Sequence, residues 1–162
     1  MITLVSEHLR DEFGGIRLEL IFQDRTTRLS CIRRVADEAV LSFHIVLFFE
    51  AGITALGKVH ESVVSGGMLG EMIQKSGVPY TRTVSEKTSV EIDANLTSLF
   101  VTEKKRCTTE RIEYQIRGVP YATIYEFYNP KYTPVAESSG TLDKEIIALM
   151  QKYITNDIQE FI

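Results

Sequence analysis

Apolar positions along this chain change their period several times, and each change predicts an element. Leu4, Val5, Leu9 and Phe13 recur at helical spacing, which predicts a short helix over 3–13 stopped by Gly14-Gly15. From Ile16 the period falls to two. Ile16, Leu18, Leu20 and Phe22 take one face and Arg17, Glu19 and Ile21 the other, as in a half-buried strand. "RLSCIRRV" (28–35) predicts a second strand. "AVLSFHIVLFF" (39–49), followed by "EAG" and "ITALGKVHESVV" (53–64), predicts a long hairpin turning around Gly52.

The order then starts again. A helix over 68–76 ends at Gly77, "YTRTVSEKTSVEI" (80–92) is extended, and Asp93 opens a short helix in "DANLTSLF" (93–100). "CTTERIEYQI" (107–116) turns at Arg117-Gly118 into "VPYATIYEFYNP" (119–130). With "HIVLFFEAGITALGKV" and "RIEYQIRGVPYATIYEF" as matching hairpins, the economical reading is an internal duplication of about sixty residues, with units near 3–64 and 65–132. Two such units merge most simply into one antiparallel sheet with the helices packed on one face, an α+β architecture. After Pro130, "KYTPVAESSG" is turn-rich. Leu142, Ile146, Leu149 and Tyr153 then predict a C-terminal helical extension over 141–162. That helix packs on its own domain or, alternatively, on a second copy to make a homodimer. No stretch reads as an interdomain linker, so 1–162 is taken as a single domain.

Composition narrows the function. The chain has 162 residues, 44% hydrophobic and 25% charged, the profile of an ordinary globular domain. A net charge of −4 speaks against direct contact with nucleic acid, which asks for a basic face. The N-terminus lacks a signal-peptide layout and "IVLFF" is far too short to span a bilayer, so no membrane role is expected and a cytoplasmic location is the default. Cys31 and Cys107 form no CxxC and read as reduced, buried thiols. The histidines, His8, His44 and His60, are too scattered for an assembled metal motif, and no cofactor is implied. No G-x-S-x-G elbow and no phosphate-binding G-x-x-x-x-G-K-[ST] loop is present.

What chemistry remains gathers at a few positions. "SGGMLGEMIQKSG" (65–77) places Ser65, Gly66 and Gly67 before a helix, with Leu69 in its first turn. This is either plain capping or a helix start whose amides are left open to an anion. Lys58, His60 and Ser62 alternate onto one face of the predicted strand, a cationic stripe or simply a solvated one. Glu126 shares its face with Ala122, Ile124 and Tyr128, where a carboxylate needs a ligand hydroxyl or a core arginine. Arg111 takes in the second hairpin roughly the place of His44 in the first.

In order and spacing these elements resemble chorismate lyase and the UTRA effector domains of GntR-type transcription regulators. The likeness runs over about residues 3–132 and is strongest from "SGGMLGEMIQKSG" to the hairpin "RIEYQIRGVPYATIYEFYNPKY". It implies a pocket between the two half-units for a small anionic metabolite, an aromatic carboxylate or a phosphosugar. Ser65, Gly66, Gly67 and the Leu69 amide would receive the anionic group, with Lys58, His44 and Arg111 as further ligand contacts. Such effector domains serve transcription regulation behind a winged helix-turn-helix, so the chain is a free-standing relative or an excised effector domain. Chorismate lyase implies an alternative, an enzyme releasing pyruvate from chorismate or an analogue, with Glu126 as the catalytic carboxylate. The lyase pattern places arginines on both strands of the first hairpin, where this sequence has His44 and Lys58.

Overall fold

The computed structural model describes residues 5–160, with side chains over 8–154. Leu4, part of the first predicted helix, lies outside that range. α1 (Val5–Phe13) ends at Gly14, which adopts a left-handed φ of 81°. The two-residue periods that follow become β1 (Ile16–Gln23), β2 (Thr27–Arg34) and β3 (Val40–Phe48), consecutive and antiparallel. The side chain of Asp24 accepts hydrogen bonds from the amides of Thr26 and Thr27, at 2.9 and 2.7 Å, which closes the turn between β1 and β2. β1 does not keep the expected alternation. Its register slips between Leu20 and Phe22, so Ile21 and Phe22 both pack on the core while Leu20 is 39% exposed.

The predicted first hairpin does not form. After β3 the chain enters α2 (Glu50–Leu56) and α3 (Lys58–Val64), and the segment expected as a return strand is helical. Its buried residues, Ile53, Leu56, His60 and Val63, recur at spacings of three and four, and this longer period outweighs the brief alternation of Lys58, His60 and Ser62. Gly52 is not a turn. It sits inside α2 where a Cβ would lie 2.3 Å from the Pro120 carbonyl oxygen and the Tyr121 Cα, so its missing side chain lets the helix lie directly on a strand. The break between the helices is Gly57, with φ at 67°. One of the two matching hairpins behind the expected duplication is therefore absent.

The second half follows the prediction closely. α4 (Leu69–Ser76) ends at the left-handed Gly77, and α5 (Ala94–Phe100) is capped by Asp93, whose side chain accepts from the Leu96 amide. The extended stretch before α5 divides into β4 (Tyr80–Val84) and β5 (Thr88–Glu91), which pair with successive parts of one edge of β6 (Arg106–Ile116). β6 turns through Arg117 and Gly118, both at positive φ, into β7 (Val119–Tyr128). The strands form one antiparallel seven-stranded sheet in the order β1-β2-β3-β7-β6-β4, with β5 also on β6. β3 against β7 joins the two halves, in a register that sets His44 opposite Glu126.

Helices cover both faces of this sheet, not one. Leu29, Cys31, Phe43, Ile45 and Phe127 look toward α5 and α6 (Lys144–Glu160). Val46, Phe48, Ile112 and Ile124 look toward α2, α3 and α4, and α1 seals Ile32 and Leu41 with Leu9. The reason is β3, whose residues are buried on both sides; such a strand is stable only between two layers. α6 lies on its own domain through Ile146, Met150 and Ile154, and Tyr153 stacks on Phe22 with ring centroids 4.1 Å apart. Asn129 is fully buried where the chain leaves β7. Its amide donates to the carbonyls of Val40 and Phe100 and its oxygen accepts from the Lys131 amide, so the exit is anchored to both β3 and α5.

His60 belongs to the core. Its Nδ1 lies 2.8 Å from the Tyr121 hydroxyl and its Nε2 3.1 Å from the Arg25 carbonyl oxygen, which fixes Nε2 as the donor and Nδ1 as the acceptor. Burial, the largest cause, pulls its pKa below the usual histidine value. The neutral ring is thus the folded form, and its contribution is present above about pH 6.5 and lost as pH falls through the lowered value. In urea unfolding followed by circular dichroism between pH 7.5 and 5, the parent will lose stability on acidification relative to His60→Asn. Gly52→Ala forces a methyl group into the α2–β7 contact and will cost about 3 kcal/mol or more in the same measurement.

Candidate ligand-binding site

Strand alternation brings a set of polar side chains to the sheet face beneath α4. On β2, β3 and β7 the residues facing this side are Arg28, Ser30 and Ile32, then His44 and Val46, then Ile124 and Glu126. Together with Ile112 and Tyr114 of β6 and Arg82 of β4 they form the floor and walls of a small cavity of about 60 Å³. Leu18 closes one side, and Met68, Leu69 and Gly70 at the start of α4 form the roof. The mixture of an apolar floor with a few convergent polar groups suits a small molecule.

Two arginines that the sequence reading passes over dominate the electrostatics. Arg28 is 2% exposed and carries no carboxylate partner among the described residues. Its Nε donates to Gln23 Oε1 at 2.6 Å, one terminal nitrogen donates to the Gly67 carbonyl at 2.7 Å, and the other donates to the Val63 carbonyl at the end of α3. Burial lowers its pKa to about 10, which leaves it charged at neutral pH. Its role is to hold the α3–α4 connection on β2 while keeping a positive charge under the cavity. The Nε of Arg82 is buried and has no hydrogen-bond partner among the described residues. Burial pushes the neighbouring Tyr114 phenol up to about 12, with Arg82 pulling the other way. In "RLSCIRRV" and "YTRTV" the alternation that puts Arg28 with Ser30 and Arg82 with Tyr80 was readable; what it lacked was the knowledge of which strand face would be covered.

The glycine-rich start of α4 is only partly what the sequence suggests. Ser65 closes α3 and does not open α4: its amide donates to the Glu61 carbonyl and its hydroxyl to the Ser62 carbonyl. The Gly66 amide donates to Val63, and the Gly67 carbonyl is held by Arg28. Ser65, Gly66 and Gly67 therefore serve the turn between helices and do not line the cavity. Leu69 does, with Gly70. The N-cap of α4 is Met68, which makes no side-chain cap bond, so the positive end of the helix opens on the cavity.

His44 and Glu126 both line the cavity, and they face each other across β3 and β7. His44 Nδ1 is 3.5 Å from Glu126 Oε1, and its Nε2 is 2.6 Å from Ser42 Oγ. The other oxygen of Glu126 accepts from the Tyr128 hydroxyl at 2.7 Å. The core arginine considered for Glu126 is absent; a histidine and a phenol hold the carboxylate. Lys58 stands exposed at the first turn of α3, away from the cavity. Arg111 lies on the opposite face of the sheet: it pairs with Tyr125, bonds Glu113 at 2.7 Å, and lines a separate hollow with Thr141 and Asp143. The residue in line with His44 and Glu126 on β6 is Glu110, one position earlier.

Comparison with known proteins yields no matching family profile and no matching curated protein. Solved structures do match. PhnF from Mycobacterium smegmatis aligns with a TM-score of 0.63 at 8% identity, over 88% of this chain and 69% of its own. The effector domain of PhnF aligns separately, with a TM-score of 0.54 at 8% identity over 80% and 87%. The C-terminal domain of the histidine utilization repressor from Pseudomonas syringae pv. tomato str. DC3000 gives 0.55 at 7% identity over 80% and 100%. At these identities the finding is a shared fold with these proteins, and a GntR-family transcriptional regulator from Bacillus cereus shares it as well, with a TM-score of 0.55 at 10% identity over 77% of this chain and 99% of its own.

Replacing Arg28 by alanine strands the carbonyls of Val63 and Gly67 in a buried setting. The variant will lose about 3–5 kcal/mol of unfolding free energy in urea. Arg111→Ala, on the other face and exposed, will stay within about 0.5 kcal/mol of the parent.

Proposed function

We propose that this chain is a small-molecule-binding domain of the effector type and that its cavity takes a small anionic metabolite, an aromatic carboxylate or a phosphosugar. The observation that carries the reading is the buried Nε of Arg82, which lacks an acceptor on the wall of a cavity roofed by the open start of α4. A buried N–H without a partner is costly, and a ligand oxygen supplies the missing acceptor. In this reading Arg82 and the Leu69 amide meet the anion, Arg28 adds field without contact, and His44 and Glu126 meet hydroxyl groups. The apolar floor of Val46, Ile112 and Ile124 takes the carbon skeleton. The shared fold with the effector domain of PhnF supports a role in transcription regulation, with the ligand signal passed to a DNA-binding partner.

A lyase acting on chorismate is the second reading, favoured by one observation, the seat of Glu126 on the cavity beside two arginines. It asks for a pair of arginines free to clamp two carboxylates, and Arg28 is already engaged by protein oxygens.

Binding is tested by calorimetry and thermal shift with glucose 6-phosphate and 4-hydroxybenzoate as probes of the two ligand classes. One of them raises the midpoint, and Arg82→Ala weakens its binding by about tenfold or more, the worth of a charge-assisted hydrogen bond, without changing stability in urea. Absence of binding by both probes at millimolar concentration, or equal binding by the variant, overturns the reading. Incubation with chorismate, followed by its loss of absorbance, decides the enzymatic alternative: a flat trace at high protein concentration removes it.

A further inference from the structure

The outer edge of β5 is only half covered. Successive residues of a strand turn their backbone groups to opposite sides. The Ile92 amide donates to the Lys105 carbonyl at 2.9 Å, toward β6, so Val90 faces β6 as well, and Ser89 and Glu91 face outward. Ser89 is covered there by residues 138–140, in an isolated parallel bridge. Its amide donates to the Ser138 carbonyl at 2.6 Å, and its carbonyl accepts from the Gly140 amide at 2.8 Å and from Arg106 of β6 at 2.9 Å. Beyond Gly140 the covering segment leads into α6, and the amide and carbonyl of Glu91 have no hydrogen-bond partner among the described residues. Such unpaired groups are a template for another strand.

The open stretch borders a groove of about 620 Å³ between β5 and α6. That volume lies within the range of binding pockets, roughly 300–1,000 Å³. Ile92, Leu142, Ile147 and Met150 give the groove apolar walls, and Ile147 is 39% exposed on the helix side. Among its charged residues Asp93 is engaged as the cap of α5. Glu91, Arg106 and Lys144 make no ion pair among the described residues, so two cations stand against one free carboxylate. The surplus of positive charge suits an occupant that carries a carboxylate.

We propose that this groove is a docking site for an extended acidic segment of a partner protein, which adds as a strand to the open edge of β5. A peptide backbone offers a donor and an acceptor at the spacing that the Glu91 amide and carbonyl require, which a compact small molecule lacks. An apolar side chain of the segment enters between Ile92, Ile147 and Met150, and its carboxylate meets Lys144 and Arg106. From Lys144 to Gln151 the helix wall runs about 10 Å, at roughly 1.5 Å per residue. Extended chain advances about 3.3 Å per residue, so the groove holds a segment of about three residues.

The cavity beneath α4 takes no part in the test, so its outcome is separate from that of the small-molecule experiments. Random heptapeptides displayed on phage are selected against the whole chain, and enriched sequences are synthesised and titrated by fluorescence anisotropy. Enriched peptides will combine an apolar residue with Asp or Glu. Ile147→Glu and Lys144→Glu each will weaken their binding by about tenfold or more, because both place a negative charge against the acidic segment. Both positions are exposed, so the urea midpoints of these variants will match the parent. Hydrogen exchange gives a readout free of substitutions: the Glu91 amide exchanges readily in the unbound protein and slows when the peptide is added. No enriched peptide, equal affinity in parent and variants, or a Glu91 amide left unprotected overturns the proposal. Sedimentation of the chain alone examines a second copy as occupant. A parent dimer that Ile147→Glu returns to monomer would seat that copy in the groove and equally overturn the proposal.

Discussion

The constraint on which the rest of this structure depends is a strand that is apolar on both sides. β3 has Phe43 and Ile45 on one face and Val46 and Phe48 on the other, and nearly every residue between Val40 and Phe48 is buried. Such a strand can sit only in the middle of a sheet with a layer above and a layer below. From that follow the central pairing with β7, the placement of α2–α4 on one face and α5 and α6 on the other, and the burial of whatever polar residues the strand carries. Ser42 and His44 are polar residues caught in that position. Ser42 stands opposite Tyr128 and His44 opposite Glu126, and the burial of His44 makes this strand part of the cavity wall.

Polar groups inside this layer are held by partners drawn from across the fold. Arg28 ties β2 to the α3–α4 connection through backbone carbonyls, and Asn129 ties the exit of β7 to β3 and α5. Both devices convert an isolated buried donor into a crosslink between elements distant in sequence, and both fix the geometry around the cavity. The roof of the cavity is positioned indirectly: Arg10 of α1 pairs with Glu71 of α4, so the first helix steadies the one whose open end faces the cavity.

Much of the fold was legible in the sequence because local signals agreed with the final packing. The glycine exits at Gly14 and Gly77, the Asp93 cap and the Arg117-Gly118 hairpin all act over a few residues, where sequence and structure share the same information. The failures have a common cause in tertiary context. Gly52 looks like a turn and is a close-approach residue, because the strand it touches is some seventy residues away along the chain and invisible from its neighbours. The helices of 50–64 were hidden by a short alternation, and the single-faced sheet by the absence of any sign that α6 would return to cover the other side. Around the cavity, alternation placed Glu126 on a face with apolar neighbours and the resemblance pointed to His44 and Leu69, whereas Arg28 and Arg82 required the sheet order. Lys58 and Arg111 were misplaced for the same reasons, a helix taken as a strand and a one-residue difference in register that changes the face.

The docking of α6 on β1 and β3 has an implication for how the protein is made. Ile146, Met150 and Ile154 complete a core whose other walls, Leu29, Phe43 and Ile45, emerge from the ribosome more than a hundred residues earlier. Until α6 is synthesised, the part of this face that α5 does not cover stands bare and greasy, able to associate with other nascent chains or to recruit a chaperone. The order of translation thus leaves this face incomplete long after β2 and β3 are made, and its protection during biosynthesis rests on α6 arriving in time.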